Sequence, residues 1–153
     1  MDVTVREARP PDAPTLEVLR RQAVDDAVRT YTGEPSADAL PGADLHERID
    51  DDRYAVRVVE TEVTGVSYAV LDREAGRLSE LFTAPNYQRE GFASVLLDRV
   101  GSVAADAGRE ALTAVAPAPA RQFFLANGFE PVGEMESEAR FGLPATRYRT
   151  GLY

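Results

Sequence analysis

Leu78-Ser-Glu-Leu-Phe-Thr-Ala-Pro-Asn-Tyr-Gln-Arg-Glu-Gly-Phe-Ala-Ser-Val-Leu-Leu97 is the stretch on which the reading of this chain turns. A strand-like run from Leu78 to Thr83 meets a turn at Pro85-Asn86. A helix then opens on Gln88-x-x-Gly91-x-Ala93, and Phe92, Val95, Leu96, Val100 and Val103 recur at helical spacing until Gly108 ends the pattern. Such a loop binds anions. Gly91 and the small Ala93 let a phosphate come close to the backbone, and the first-turn N–H groups of a helix have no intrahelical partner and point outward. A pyrophosphate fits this place.

Working outward, Thr4 to Ala8 reads as a first strand, and Pro10-Pro11-Asp12 introduces a helix carrying Leu16, Leu19, Ala23 and Val24, with Asp12 or Thr15 as N-cap. Thr30 to Asp52 is irregular: Gly33, Pro35, Pro41 and Gly42 precede a short helix-like run from Asp44 to Ile49 and the acidic Asp50-Asp51-Asp52. Two β-rich runs, Tyr54 to Glu60 and Val63 to Leu71, read as a hairpin joined at Thr61-Glu62, and Arg73 to Gly76 turns into a fourth strand, Arg77 to Thr83. After the Gly91 helix come a strand from Ala111 to Ala116, a short helix near Pro119 to Asn127, and two strands at about Glu130 to Glu134 and Arg140 to Arg149. The order is β-α-α-β-β-β-α-β-α-β-β. No internal repeat or linker interrupts it, and 153 residues suit one domain spanning 1–153.

Composition excludes several classes of function. The chain has no cysteine and a lone histidine, His46, so thiolate metal sites, disulfides and a cysteine nucleophile are out, and no metal is expected. Seventeen basic residues stand against 26 acidic ones, a net charge of −9, which argues against nucleic-acid binding. No apolar run approaches the ~20 residues that span a bilayer, and Met1-Asp-Val-Thr-Val lacks the basic start of a secretory signal, so no membrane partner and a cytoplasmic location are expected. Every basic residue is arginine. Surplus carboxylates without lysine resemble the proteome of a salt-in halophile; a GC-rich genome accounts for the arginine but not for the acidity.

The Gln88-x-x-Gly91-x-Ala93 motif after a strand, followed by Ala120-Arg-Gln-Phe-Phe-Leu-Ala-Asn-Gly-Phe129, resembles the two landmarks of the GNAT superfamily, the Gcn5-related N-acetyltransferases. The resemblance runs the length of the chain in order, with the specific motifs between residues 76 and 132. It implies an α/β fold with a twisted mixed sheet of six to seven strands flanked by about four helices. It also implies acetyl-CoA as acyl donor, an unknown amine acceptor, and transfer of the acetyl group to a primary amine of a small molecule, peptide or protein. A homodimer is compatible with it. The implied cofactor-binding residues are Leu81, Phe82 and Thr83 on a bulged fourth strand, Gln88, Arg89, Glu90, Gly91, Phe92, Ala93 and Ser94 at the phosphate loop, and Phe124.

Acetyl transfer needs a polarised carbonyl, an uncharged amine and a proton for the departing thiolate. The resemblance assigns the base to Glu80, a carboxylate near the bulge, whose pKa would have to rise from ~4.3 toward neutrality by burial among Leu78, Leu81 and Phe82. It also exposes two departures. Phe124 stands where many relatives carry the tyrosine that protonates the thiolate, and Pro117 stands where an asparagine bonds the cofactor. Either water assists the thiolate, or Tyr148 or Tyr87 substitutes. The departures equally suit a catalytically silent domain that binds acyl-CoA as a regulatory module, and an α/β domain binding another nucleotide is a third reading. His46, beside Glu47 and Arg48, reads as a surface residue or a substrate-side base. The acidic group from Asp44 to Asp52 reads as a solvated face or an attractor of a cationic amine.

Overall fold

Gly65–Asp72 is buried along almost its whole length, and this determines the layering, because a strand with apolar residues on both faces must be covered on both. The computed structural model describes residues 2–34 and 44–152. Eight strands form one sheet: β1 (Thr4–Glu7), β2 (Tyr54–Glu60), β3 (Gly65–Asp72), β4 (Arg77–Thr83), β5 (Ala111–Pro117), β6 (Glu130–Pro131), β7 (Glu138–Arg140) and β8 (Leu143–Gly151). Their order is β1-β2-β3-β4-β5-β8-β6, with β7 also paired to β8; only β4 and β5 run parallel.

Among the described residues four α-helices cover the sheet: α1 (Ala13–Thr32), α2 (Leu45–Asp50), α3 (Phe92–Asp106) and α4 (Arg121–Ala126). On one face Phe92, Leu96, Leu97, Val100 and Ala104 of α3 pack with Ala55, Ala69, Leu71, Leu78 and the alternating Leu112, Ala114 and Ala116 of β5. On the other, Leu16 and Leu19 of α1 and Leu45 of α2 meet Val56, Val58, Tyr68 and Val70. Fully burying side chains of this size is worth about 2 kcal/mol each, so both faces contribute to holding the sheet between its helices.

The element order agrees with the expectation except toward the C-terminus, where the structure corrects it. The sheet has eight strands where six to seven were expected, because a turn at Phe141-Gly142 cuts the last strand into β7 and β8, and the run from Glu130 shrinks to two residues. The β6 and β7 segments pair with different stretches of β8, so the chain between them must leave the ladder, which it does through Gly133 and Glu136 at positive φ. Val95 is 42% exposed, while Leu97 and Ala104 complete the buried stripe of α3. Asp12 precedes α1 without capping it. Its carboxylate instead accepts two hydrogen bonds from Arg6, at 2.8 Å each, and one from the Arg9 N–H at 2.7 Å. Asp44 does cap α2, accepting from the His46 N–H at 2.9 Å.

Candidate active site

A cleft of about 650 Å³ opens where β4 and β5 part. They are paired only at Arg77 with Thr113 and Leu78 with Ala114. The cause lies one residue further on. Leu71 of β3 faces Leu78 and Val70 faces Glu80, so Ser79 is an extra residue in β4, a bulge that bends the strand away from its neighbour. Beyond it the β5-side edge of β4 has no strand partner among the described residues. Ala84 donates to the Val66 carbonyl at 2.9 Å, and the Phe82 carbonyl accepts from Ser67 Oγ at 2.9 Å, which turns the backbone groups of even-numbered residues toward β3. By alternation the N–H and C=O of Leu81 and Thr83 face the gap. Phe82 also lines the cleft, although the same alternation turns its backbone groups toward β3.

The loop after β4 closes one end. A 3-10 turn at Pro85–Tyr87 leads through Gln88 and Arg89 to Gly91, the N-cap of α3, and no side chain caps the helix. The first intrahelical bond runs from the Val95 N–H to the Gly91 carbonyl, so the N–H groups of Phe92, Ala93 and Ser94 have no helical acceptor. Arg89 at φ 66° and Gly91 at φ 83° give the loop the sharp path that aims these donors into the cleft, and a non-glycine residue held in this region is strain of the kind that gathers at functional sites. A Cβ built on Gly91 would meet no protein atom within 4 Å; the space beside the backbone is open. Gln88, Arg89, Gly91, Phe92, Ala93 and Ser94 all line the cleft, whereas Glu90 is exposed on the loop and does not.

The other end holds Glu80, 7% exposed, on the α1 face of β4. Its Oε1 accepts from the Tyr68 hydroxyl at 2.9 Å. Arg20 Nη1 of α1 lies 3.9 Å from Oε1, and Arg48 Nη1 of α2 lies 3.8 Å from Oε2, itself held over the Tyr54 ring. Among the described residues Oε2 has no hydrogen-bond partner. Burial raises the Glu80 carboxyl above its ordinary value, and the hydrogen bond from Tyr68 with the charges of Arg20, Arg48 and Arg140 only partly offsets it.

Phe124 is buried and lines the cleft, packed edge-on against Phe123 and Phe129 and flat against Tyr148 at 5.5 Å between centroids. Pro117 lines it too. Of the two tyrosines considered as substitutes, Tyr87 lines the cleft and Tyr148 does not. His46 is exposed on α2, 3.7 Å from Asp50, and does not line the cleft either. Of the irregular run from Thr30 to Asp52, residues 35–43 lie outside the described residues.

The sequence reading missed one wall altogether, formed by Ala23, Val24 and Ala27 of α1 with Arg140 and Phe141 of the β7–β8 hairpin. Arg140 Nη2 donates to the Ser79 carbonyl at 2.6 Å, inside the gap between the parted strands. Gly142, interrupting an otherwise strand-like run, was the one sign of this hairpin. Among the described residues no group of three or more histidine, aspartate or glutamate side chains is arranged to hold a metal ion.

Comparison with known proteins bears on this geometry. The chain superposes on the PaiA N-acetyltransferase of Thermoplasma acidophilum, solved in complex with coenzyme A, with a TM-score of 0.77 at 15% identity over 99% of each chain. A GCN5-related N-acetyltransferase of Rhodopseudomonas palustris gives 0.81 at 18% identity, over 99% of this chain and 97% of that one. YncA, a putative acetyltransferase from Salmonella typhimurium with its cofactor acetyl-CoA, gives 0.73 at 21% identity, over 100% and 95%. At these identities the likeness is one of fold. A search of curated protein sequences finds no match. The family model for the acetyltransferase (GNAT) domain matches residues 19–152, from α1 to the end of β8, and the chain therefore belongs to the GNAT acetyltransferase family.

Proposed function

We propose that the chain, acting as a single domain, is an acetyl-CoA-dependent N-acetyltransferase for a primary amine of a small molecule, peptide or protein. One observation carries this reading: the uncapped start of α3, the unpartnered edge of β4 and the buried Glu80 carboxylate all line one cleft. Acetyl-CoA supplies an activated acyl group. The N–H groups of Phe92, Ala93 and Ser94, with Arg89 nearby, suit a pyrophosphate, and the edge groups of Leu81 and Thr83 suit an amide-bearing arm lying along β4. The Leu81 N–H then serves as donor to the thioester carbonyl oxygen, on which negative charge grows as the amine attacks. Glu80 takes the proton that the amine must lose. A C–N bond forms, the C–S bond breaks, and the sulfur is protonated by water. Phe124 has no proton to give, and a thiol with a pKa near 8.5 leaves without strong acid assistance.

Coenzyme A and acetyl-CoA titrated calorimetrically should both bind, and thiol release from acetyl-CoA should rise with one or more members of a broad panel of primary amines in molar KCl. Phe124 and Pro117 support the second reading, a silent acyl-CoA-binding module. Tight binding with no amine-dependent thiol release would favour it, and no binding of either ligand would refute both.

A further inference from the structure

Arg140 stands at the mouth of the parted strands with no carboxylate at ion-pair distance among the described residues, although the charge of Glu80 reaches it. Its guanidinium is largely withdrawn from water, which by itself pulls its pKa down. Its recorded partners are the Ser79 carbonyl, 2.6 Å from Nη2, and the face of Phe141, 5.0 Å from the ring centroid. No carboxylate lies within 4 Å of it among the described residues. The arginines around it are provided for: Arg20 pairs with Glu17 at 2.8 Å, and Arg48 and Arg20 flank Glu80. A desolvated cation is ordinarily paired at close range, and among the described residues Arg140 has no such pair, so a ligand carboxylate would complete its set.

The hairpin that presents Arg140 is itself strained. Arg140 pairs with Leu143, and the two residues between them, Phe141 at φ 56° and Gly142 at φ 75°, both have the positive φ of a type I′ turn. Asparagine or glycine suits the first of these positions; a bulky aromatic there is an outlier. What Phe141 gains is its place in the cleft, 5.7 Å from Phe82 between ring centroids and packed against Val24, Val28 and Leu143. The strain fixes an apolar ring beneath the Arg140 guanidinium and against Phe82 of β4.

We propose that Arg140 binds a carboxylate of the acceptor, so that the acceptor class is a zwitterionic amino acid with an apolar side chain. This rests on the transferase reading for the amine end. Glu80, whose Oε2 lacks a donor, follows Ser79 directly in the chain, and Ser79 holds Arg140. The cation site and the anion site are near enough for each to feel the other's charge, as suits a ligand carrying both an amine and a carboxylate. One guanidinium with part of its fork already committed to Ser79 suits a monoanion. The walls beyond it, Ala23, Val24, Ala27, Phe82 and Phe141, suit an apolar side chain. A polyamine or an aminoglycoside would put a cation against Arg140.

The test separates anion binding from catalysis. Protein loaded with coenzyme A is titrated with L-phenylalanine, L-leucine and L-methionine, each against its decarboxylated amine, on the wild type and on Arg140→Gln. At least one amino acid should bind roughly 10- to 100-fold more tightly than its amine, the difference expected from one charge-assisted pair, and Arg140→Gln should erase the difference while coenzyme A affinity holds. Should Arg140→Gln fail to fold, the matched pairs on wild type still decide, with Arg140→Lys expected to keep part of the preference. Equal binding of amine and amino acid, no binding of either, or a preference that survives Arg140→Gln overturns the proposal. Selective binding without acetylation leaves it standing and sinks the transferase reading instead.

Discussion

At the scale of single residues, Glu80 carries a conflict between stability and chemistry. Burial raises its carboxyl, with the Tyr68 hydrogen bond and Arg20, Arg48 and Arg140 pulling the other way. A carboxyl raised on folding binds its proton more tightly in the folded chain than in the unfolded one. Ionising it in the native state therefore costs stability: the penalty is absent below the unfolded pKa of ~4.3, grows as the pH climbs, and is complete above the folded pKa. A glutamine is never ionised and can still accept from the Tyr68 hydroxyl. Glu80→Gln should therefore melt at the same or a higher temperature than wild type at neutral pH, with the two curves converging near pH 4. The same variant should lose roughly 10²-fold in kcat/KM, the size of a general-base contribution, and the acid limb of the wild-type pH–rate profile should vanish with it. A variant that melts lower at neutral pH would make Glu80 chiefly a counter-ion for Arg20 and Arg48. Wild-type rates across the pH range would remove it as the base.

Elements show where a local feature serves the site and where it serves the fold. Gly91→Val places a branched side chain in the open space beside the α3 donors, and it also forces a β-branched residue to φ 83°. The backbone strain alone, about 1–2 kcal/mol, would lower the melting temperature. Gly108, at φ 84° just beyond the other end of α3, has equally open surroundings and lies off the cleft, so Gly108→Val measures that strain by itself. Coenzyme A affinity should fall at least roughly 10-fold in Gly91→Val and stay unchanged in Gly108→Val by titration calorimetry, since only the first crowds an anion's approach; equal affinities would put the anion site elsewhere. The β3–β4 turn is a purely structural counterpart. Asp72 is 1% exposed and accepts from Arg53 Nε and Nη2 at 3.1 and 2.9 Å and from the N–H groups of Glu74 and Ala75 at 3.1 Å. Burial pushes its carboxyl up, but these donors outweigh it and hold the pKa below the usual range. That stabilisation is present above ~3.9, the unfolded value, and is lost as the pH falls through the folded one. Asp72→Ala should cost about 3 kcal/mol at neutral pH by denaturant titration, with the gap to wild type narrowing in acid. Such elements were legible in the sequence because their cues are local: alternation along β5, the glycine that opens α3, the Arg73-to-Gly76 turn. The β7–β8 hairpin was not, because Phe141 at positive φ contradicts every turn preference, and only contacts with Phe82 and Val24, far away in the chain, hold it there. Val95 and Leu97 traded places for a like reason, since which side of α3 is covered depends on β2, β3 and β5.

For the whole molecule the question is how a chain of net charge −9 suits a polyanionic ligand. The cleft does not share the surplus. Among the described residues its charged lining is Asp26, Glu80, Arg89 and Arg140, two of each sign, so most of the excess carboxylates lie elsewhere. With 26 carboxylates against 17 arginines they cannot all be paired one to one, and the ion pairs that do form on the surface, such as Arg29 with Asp25 or Arg147 with Glu138, are of a kind worth little singly. Self-repulsion should therefore weigh on the fold in dilute buffer and fade as salt is added. At roughly 1 M salt the Debye length is about 3 Å, shorter than the spacing of most surface charges yet about the length of a hydrogen bond, so contacts at the α3 N-terminus persist. Two outcomes are expected together from 0.05 to about 2 M KCl: melting temperature should climb steeply, and the affinity for coenzyme A should change little or improve as distant carboxylates cease to repel it. A melting temperature indifferent to salt would leave a GC-rich genome as the better account of an all-arginine, lysine-free chain. An affinity that collapses in molar salt would mean that long-range attraction to Arg89 and Arg140, rather than the backbone donors of α3, holds the ligand.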